Sequence, residues 1–294
     1  MRLVYDPDQG KENKIVEEHT LSGGTVMEET LDQHAKMKGK PFKEQFAYYF
    51  GYYKFHALGV IAVLGVIISI IVTIVTHKDF GFCAMIVNSG NINIDTLQEG
   101  FASYAGIDLD EYECYISANE TELPSGMSNA DVSASTRFAA YLSSGDMDVA
   151  IFDSDMFYRK AINGCFMDLR NVFSAEEMAK YEGHFFYIDQ VEYEKMQNSN
   201  DPTSFMFPDI IIGSHEQQEA RLKPYMDPTK MAEPIPVGIV IEDAKGIKDI
   251  NCYSEMIPVF GIAGNTSRLE LAVKFLNFLY DEHVDFSAFR LFNL

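Results

Sequence analysis

The chain has no tryptophan, only four cysteines in 294 residues, and 23 Lys and Arg against 44 Asp and Glu. Each shortage closes off a class of function. Sugar binders often stack pyranose faces on tryptophan, so its absence argues against a sugar specialist. The net charge of −21 repels phosphate backbones, which sets nucleic acid aside as a partner. No Gly-x-Ser-x-Gly elbow, His-Glu-x-x-His pair or phosphate-cradling Gly-rich loop occurs. His184, His215 and His283 stand isolated, the acidic run Asp108–Glu113 lacks EF-hand spacing, and the cysteines lack metal-ligand spacing. The expectation is a protein that is not an enzyme and has neither metal nor cofactor.

Charge is also missing locally, and that gap is the most informative feature. Residues Ala57 to Thr76 (ALGVIAVLGVIISIIVTIVT) run for 20 positions without one charged side chain. As a helix rising 1.5 Å per residue the run is about 30 Å long, the thickness of a bilayer's hydrocarbon core. It starts too late and runs too long for a cleaved export signal, and no small-x-small site follows. Cys83 does not make a lipoprotein site, because the bulky Phe82 precedes it. A single transmembrane helix over residues 57–76 is expected, with the lipid bilayer as the first partner.

Charge around the span gives its orientation. Lys36, Lys38, Lys40, Lys43 and Lys54 precede it, whereas Lys78 alone follows before Arg137. The positive-inside rule then keeps the N-terminus in the cytoplasm and exports the C-terminal part across the cell membrane. Residues 41–56 (PFKEQFAYYFGYYKFH) read as a juxtamembrane helix whose rings fit an interfacial belt, Pro41 opening it where a missing N–H costs little. Residues 1–40 are polar and read as a mobile cytoplasmic tail. Residues 1–78 carry nine basic and nine acidic side chains, so the whole net charge falls on the exported side.

Residues 79–294 alternate between strand and helix patterns. Phe82–Val87, Tyr112–Ser117 and Asp148–Phe152 read as strands. Between them lie a helix from Asp95 to Ala105 ended by Gly106, and one opening at Ser133 or Ser135 and ended by Gly145. Strand–helix–strand crossovers of this kind imply a parallel sheet. Further on, Ser174 caps a helix over Glu176–Tyr181, Pro208–Ile212, Pro236–Ile241 and Val259–Ala263 read as strands, and Leu269–Tyr280 is amphipathic with Leu271, Phe275, Phe278 and Leu279 inward. The fold class is α/β.

Several of these runs carry a family resemblance. Asn93 to Ile107 (NIDTLQEGFASYAGI), Phe138 to Asp153 (FAAYLSSGDMDVAIFD), Gly164 to Leu169 (GCFMDL) and Pro258 to Phe278 (PVFGIAGNTSRLELAVKFLNF) are similar, in that order, to segments of the type 2 periplasmic-binding-protein fold. That is the fold of extracellular solute-binding proteins of bacterial transporters. Tyr52 to His56 before a single span resembles membrane-anchored proteins of Gram-positive anaerobes. The resemblance implies a two-lobed extracellular domain over residues 79–294, its second lobe reduced between about Asn171 and Ile250, with a cleft for a solute.

In open α/β sheets ligands meet the carboxyl ends of strands. Asn88 and Ser89 follow the first strand, and Asp153, Ser154 and Asp155 follow the third. Two carboxylates on one side of that turn suit an ammonium or a hard cation, and either Asp153 or Ser154 also suits a helix cap. Tyr187 joins them as a ligand-binding candidate, with Tyr141, Phe152, Tyr158 and Phe260 as further rings for a pocket that takes a basic peptide or amine. The four cysteines all lie on the exported side, where two disulfides or four free thiols are both open. Two functions follow: a tethered solute- or peptide-binding domain serving as sensor or transport accessory, or an interaction module that binds an envelope protein and no solute.

Overall fold

A computed structural model describes residues 39–76, 78–123, 128–198 and 214–291. The tail and the candidate strand Pro208–Ile212 therefore lie outside the described residues, apart from the last two tail positions. The chain divides into two compact units, residues 1–77 and 78–294.

The described part of the first unit is one helix, α1 (Phe42–Thr76), continuous through the boundary at residue 56. Its 35 residues make it about 52 Å long, so it exceeds a bilayer core by several turns. Lys54–Thr73, with mean hydropathy 2.7, is the one stretch among the described residues long and apolar enough to cross a membrane. None of that stretch is covered by protein, and Leu58 through Val72 present bare aliphatic side chains all round. On the preceding turns Phe42, Phe46 and Phe50 stack at i, i+4 spacing, with centroids 6.4 and 5.8 Å apart, and Lys54 lies over the Phe55 ring.

The second unit is built on one six-stranded sheet, in the order β2-β1-β3-β6-β5-β4. Its strands are β1 (Phe80–Val87), β2 (Glu113–Glu120), β3 (Val149–Asp153), β4 (Phe185–Asp189), β5 (Pro234–Val240) and β6 (Pro258–Ile262). β1 pairs in parallel with β2 and β3, as crossover connections through helices α2 (Ile94–Ala105) and α3 (Asn129–Ser144) require. The parallel expectation fails beyond β3. β6 runs antiparallel to β3 and β5, and β4 antiparallel to β5, because the chain returns along the sheet without completing a crossover. Two lobes were expected and one sheet is found: residues 171–250 supply β4 and β5 to its edge instead of forming a second sheet among the described residues.

Side chains alternate across the sheet, and both faces are covered. On one face Phe82, Ala84, Ile86, Val149, Ile151, Ile239 and Phe260 meet α2, α8 (Lys245–Ile250) and α9 (Leu269–Tyr280). Phe82, Phe101, Phe275 and Phe278 pack there edge to face, tilted and, for Phe275 with Phe278, stacked, with centroids 4.5–6.2 Å apart. On the other face Cys83, Met85, Val87, Phe152 and Phe186 meet α3, α4 (Ser154–Ala161) and α7 (His215–Met226). A sheet buried on both sides explains why β1 reads as an unbroken apolar run. Gly238 and Gly261 leave room for Phe157 across β5 and β6, where a Cβ would meet its ring at 2.5 and 2.7 Å.

Helix starts departed from expectation where a better cap lay upstream. Asn93, not Asp95, accepts from the Thr96 N–H, and α3 begins at Asn129 because Ser128 and Asp131 form a reciprocal capping box. Ser133 and Ser135 fall inside that helix. Gly106 and Gly145 close α2 and α3 in the left-handed conformation and Ser174 caps α5 (Ala175–Lys180), as read; the helix runs one residue ahead of the expected Glu176–Tyr181, and Glu177 completes a capping box with Ser174. Between β4 and α7 the described chain adds α6 (Gln190–Gln197).

The four cysteines are free thiols. Cys83 and Cys114 sit on adjacent strands but belong to opposite faces of the sheet, so they do not face each other. Burial pushes Cys83, Cys114 and Cys252 up to about 12 and Cys165 to about 11. The thiolate is the reactive form, so native protein at pH 8 should resist iodoacetamide and label all four thiols only after unfolding in urea. Mass spectrometry reads this directly; labelling of any thiol at free-cysteine rate without denaturant would contradict it.

Candidate functional site

The carboxyl ends of β1, β2 and β3 meet in a polar knot. Asn88 takes a left-handed φ of 58° at the end of β1, a conformation asparagine tolerates. From there its amide donates to Asp153 Oδ2 at 2.6 Å and to the Glu122 carbonyl at 2.8 Å, and accepts from the Glu122 N–H at 2.8 Å. Asp153 Oδ1 meanwhile caps α4, accepting from the N–H groups of Asp155 and Met156. Burial drives the Asp153 carboxyl upward, against the pull of Asn88 and the capping amides. Ser89 donates to the Ile86 carbonyl and accepts from the Asn119 N–H. Beneath them Lys160 pairs with Glu122 at 2.6 Å while lying over the Phe138 ring.

The fold thus gathers Asn88, Ser89, Asp153, Ser154 and Asp155 at one edge, but closes their charges from within. Asp155 is bound by both arms of Arg221 from α7, at 2.9 and 2.6 Å, and Asp153 is only 2 % exposed. The carboxylate pair expected to receive an external ammonium or hard cation therefore already has its partners. Among the described residues no three His, Cys, Asp or Glu side chains converge as a metal site requires. Tyr187 is not brought to this place: it lies on edge strand β4, half-buried against Phe185. The remaining rings do not share a pocket either. Phe152 and Phe260 are buried on opposite faces of the sheet, Tyr141 packs on Phe80 and Tyr115, and Tyr158 packs on Tyr225.

An open pocket lies farther along the same edge. β5 is antiparallel to β6, as β3 is, so β3 and β5 point the same way and their carboxyl ends share an edge. After β5 come Glu242 and Asp243. His215, the first residue of α7, hydrogen-bonds Glu242. His184, just before β4, holds Nδ1 3.7 Å from Asp243 Oδ1, and the Tyr280 hydroxyl donates to that same oxygen at 2.8 Å. Among the described residues Leu222, Met226, Val240 and Ile257 make an apolar floor, and Glu219 and Lys248 add to the rim of a cavity of about 540 Å³. That volume falls within the range of small-molecule pockets.

Helix α7 fixes this geometry. Its inward side is anchored by Arg221 on Asp155 and by buried Gln218, which donates to the Glu255 carbonyl and accepts from the Ile257 N–H. Its outward side presents His215 and Glu219 to the pocket. A second cavity of about 650 Å³ opens beside the amino end of β5, where Arg170 is already held by Asp168.

Sequence reasoning passed over the pocket because His184 and His215 are far apart in the chain and carry no motif. The usable signal was the tandem acid Glu242-Asp243 immediately after a strand. The carboxyl-end rule that selected Asn88 and Asp153 selects that pair too once β5 is known to run parallel in direction to β3. No protein family matches the chain, and neither does any curated protein or solved structure.

Proposed function

We propose that the chain is a membrane-tethered binding domain: α1 anchors it in the cell membrane with the N-terminus cytoplasmic, and the acidic α/β unit outside takes a small solute as sensor or transport accessory. The observation that carries this reading is the pocket between α7 and the Glu242–Asp243 corner, an apolar floor under convergent polar groups at the ligand-receiving edge of the sheet. The lysine bias before the span supports the orientation, and the solute-binding resemblance of the sequence segments agrees with it.

A thermal-shift screen of metabolite extract fractions against the full chain in detergent micelles tests the proposal. At least one fraction should raise the melting temperature, and Leu222→Trp, which fills the pocket floor, should abolish the rise while leaving the fold intact by circular dichroism. If no fraction shifts either protein, the binding reading falls. The closed knot at Asn88 and Asp153 would then favour an interaction module of an envelope complex, sought by crosslinking in intact cells.

A further inference from the structure

Resting on the membrane anchor proposed above and going beyond it, we infer that the turn between α2 and β2 is a docking face for a zwitterionic lipid surface. Among the described residues of the α/β unit six large apolar or aromatic side chains are more than a third exposed. Three of the six, Tyr104, Leu109 and Tyr112, belong to the end of α2 and to this turn. An apolar tip beside tyrosine rings is a composition that settles among headgroups. The turn is also firmly built. The Asp108 carbonyl accepts from the Glu111 and Tyr112 N–H groups, and its carboxylate accepts from the Asp110 N–H. Ile107 and Tyr112 close over Gly81, where a Cβ would meet them at 3.0 and 2.9 Å. Leu109 is thereby held out in solvent.

Chain length brings this turn to the lipid. Only His77 stands between Thr76, the last residue of α1, and Lys78, so their Cα atoms are at most about 7.6 Å apart. The headgroup layer is itself about 5–8 Å deep, which leaves Lys78 within it or against it. The Lys78 ammonium donates to the Leu109 carbonyl, so the turn lies one lysine side chain from the tether. Asp79, Asp108, Asp110 and Glu111 are exposed here too and repel anionic lipid. A zwitterionic surface, whose headgroups carry an ammonium, fits them instead. β1 and β2 begin at this edge of the sheet, whereas the pocket lies at the carboxyl ends of strands running the same way. Docking therefore turns the pocket toward the solution from which a solute arrives.

Because the chain has no tryptophan, one introduced indole reports on one place. Full-length Leu109→Trp, Val132→Trp and Leu64→Trp are reconstituted separately, one chain per nanodisc, in phosphatidylcholine with and without brominated acyl chains. Val132 is exposed in the first turn of α3, at the pocket edge, and Leu64 is at mid-span. Bromine quenches indole only at close approach, so Leu109→Trp should lose about half of its emission, Val132→Trp almost none and Leu64→Trp the most. Replacing half of the lipid by phosphatidylglycerol, at low salt and constant bromine content, should weaken the Leu109→Trp quenching about two-fold. Circular dichroism checks that each variant keeps its fold.

Quenching of Leu109→Trp no stronger than that of Val132→Trp overturns the inference and gives the turn to a protein partner. Quenching that holds or rises in phosphatidylglycerol overturns the choice of a zwitterionic surface. The mid-span variant separates the two failures. Leu64→Trp quenched while Leu109→Trp is not leaves the anchor standing and rejects only the docking face; Leu64→Trp unquenched rejects both.

Discussion

Replacing Asp148 by alanine is expected to remove on the order of 3–5 kcal/mol of stability from the α/β unit, the usual cost of stripping one partner from a buried ion pair. Asp148 is fully buried at the start of β3. Its carboxylate accepts from the Cys83 N–H on β1 at 2.8 Å, from Arg268 Nε at 2.9 Å and from the Thr266 hydroxyl, joining two strands to the entrance of α9. Arg268 also donates to the Asp146 carbonyl.

Burial pushes the Asp148 carboxyl upward while Arg268, Thr266 and Cys83 pull it back, and the upward push is the larger. A carboxyl raised in the folded state is one whose ionised form the site disfavours, so the pair adds nothing net through its charge, and the large effect comes from what its loss leaves behind. The Cys83 amide loses its acceptor, and Arg268, about four-fifths buried, keeps a charge without a counterion. Asp148→Asn keeps an acceptor for Cys83 but not the charge, and should cost about 1–3 kcal/mol. Urea unfolding followed by circular dichroism measures both, since the chain offers no tryptophan signal. A loss below about 1 kcal/mol for the alanine variant would mean that the strand starts are held by packing alone.

Asp148 also marks the limit of what the sequence discloses. Its place at the head of a strand was readable, because Gly145 stops a helix and an apolar run follows. That the same side chain holds a second strand and a distant arginine was not, since Cys83 and Arg268 lie 65 and 120 residues away. The same division runs through the whole fold. Local signals placed the α9 segment at Leu269–Tyr280, the Gly106 and Gly145 stops and the Ser174 cap. Strand direction beyond β3 was not legible, because an apolar run such as VFGIA carries no mark of its partner's orientation. The candidate site follows this pattern. Asn88 and Asp153 were found from a topological rule that needs only nearby strands, and they do meet at 2.6 Å. The closure of the site around them depended on Glu122, which exchanges hydrogen bonds with Asn88, and on Arg221, which holds Asp155, and the open pocket depended on β5 lying in the same sheet. Both are long-range facts.

The largest effect expected on location comes from two charges in α1. Residues 57–76 contain thirteen Leu, Ile and Val, each able to contribute about 0.3–0.6 kcal/mol to insertion, or about 4–8 kcal/mol together. One arginine near its centre costs about 2.5–3.5 kcal/mol and leaves insertion favourable; two cost about 5–7 kcal/mol, about as much as the whole aliphatic gain. Leu64→Arg alone should therefore stay in the membrane pellet after carbonate extraction, while Leu64→Arg with Ile68→Arg should leave it. The step between one charge and two is the informative quantity, because a peripheral protein held through its α/β unit would respond to neither. It also separates insertion from simple stickiness: exposed apolar side chains that only aggregate would pellet in both variants and without any membrane present. Protease added to intact cells completes the argument. With the lysine-rich side inside, it should digest residues 78–294 and spare an epitope placed before Lys36; digestion of that epitope instead would reverse the orientation and put the pocket in the cytoplasm.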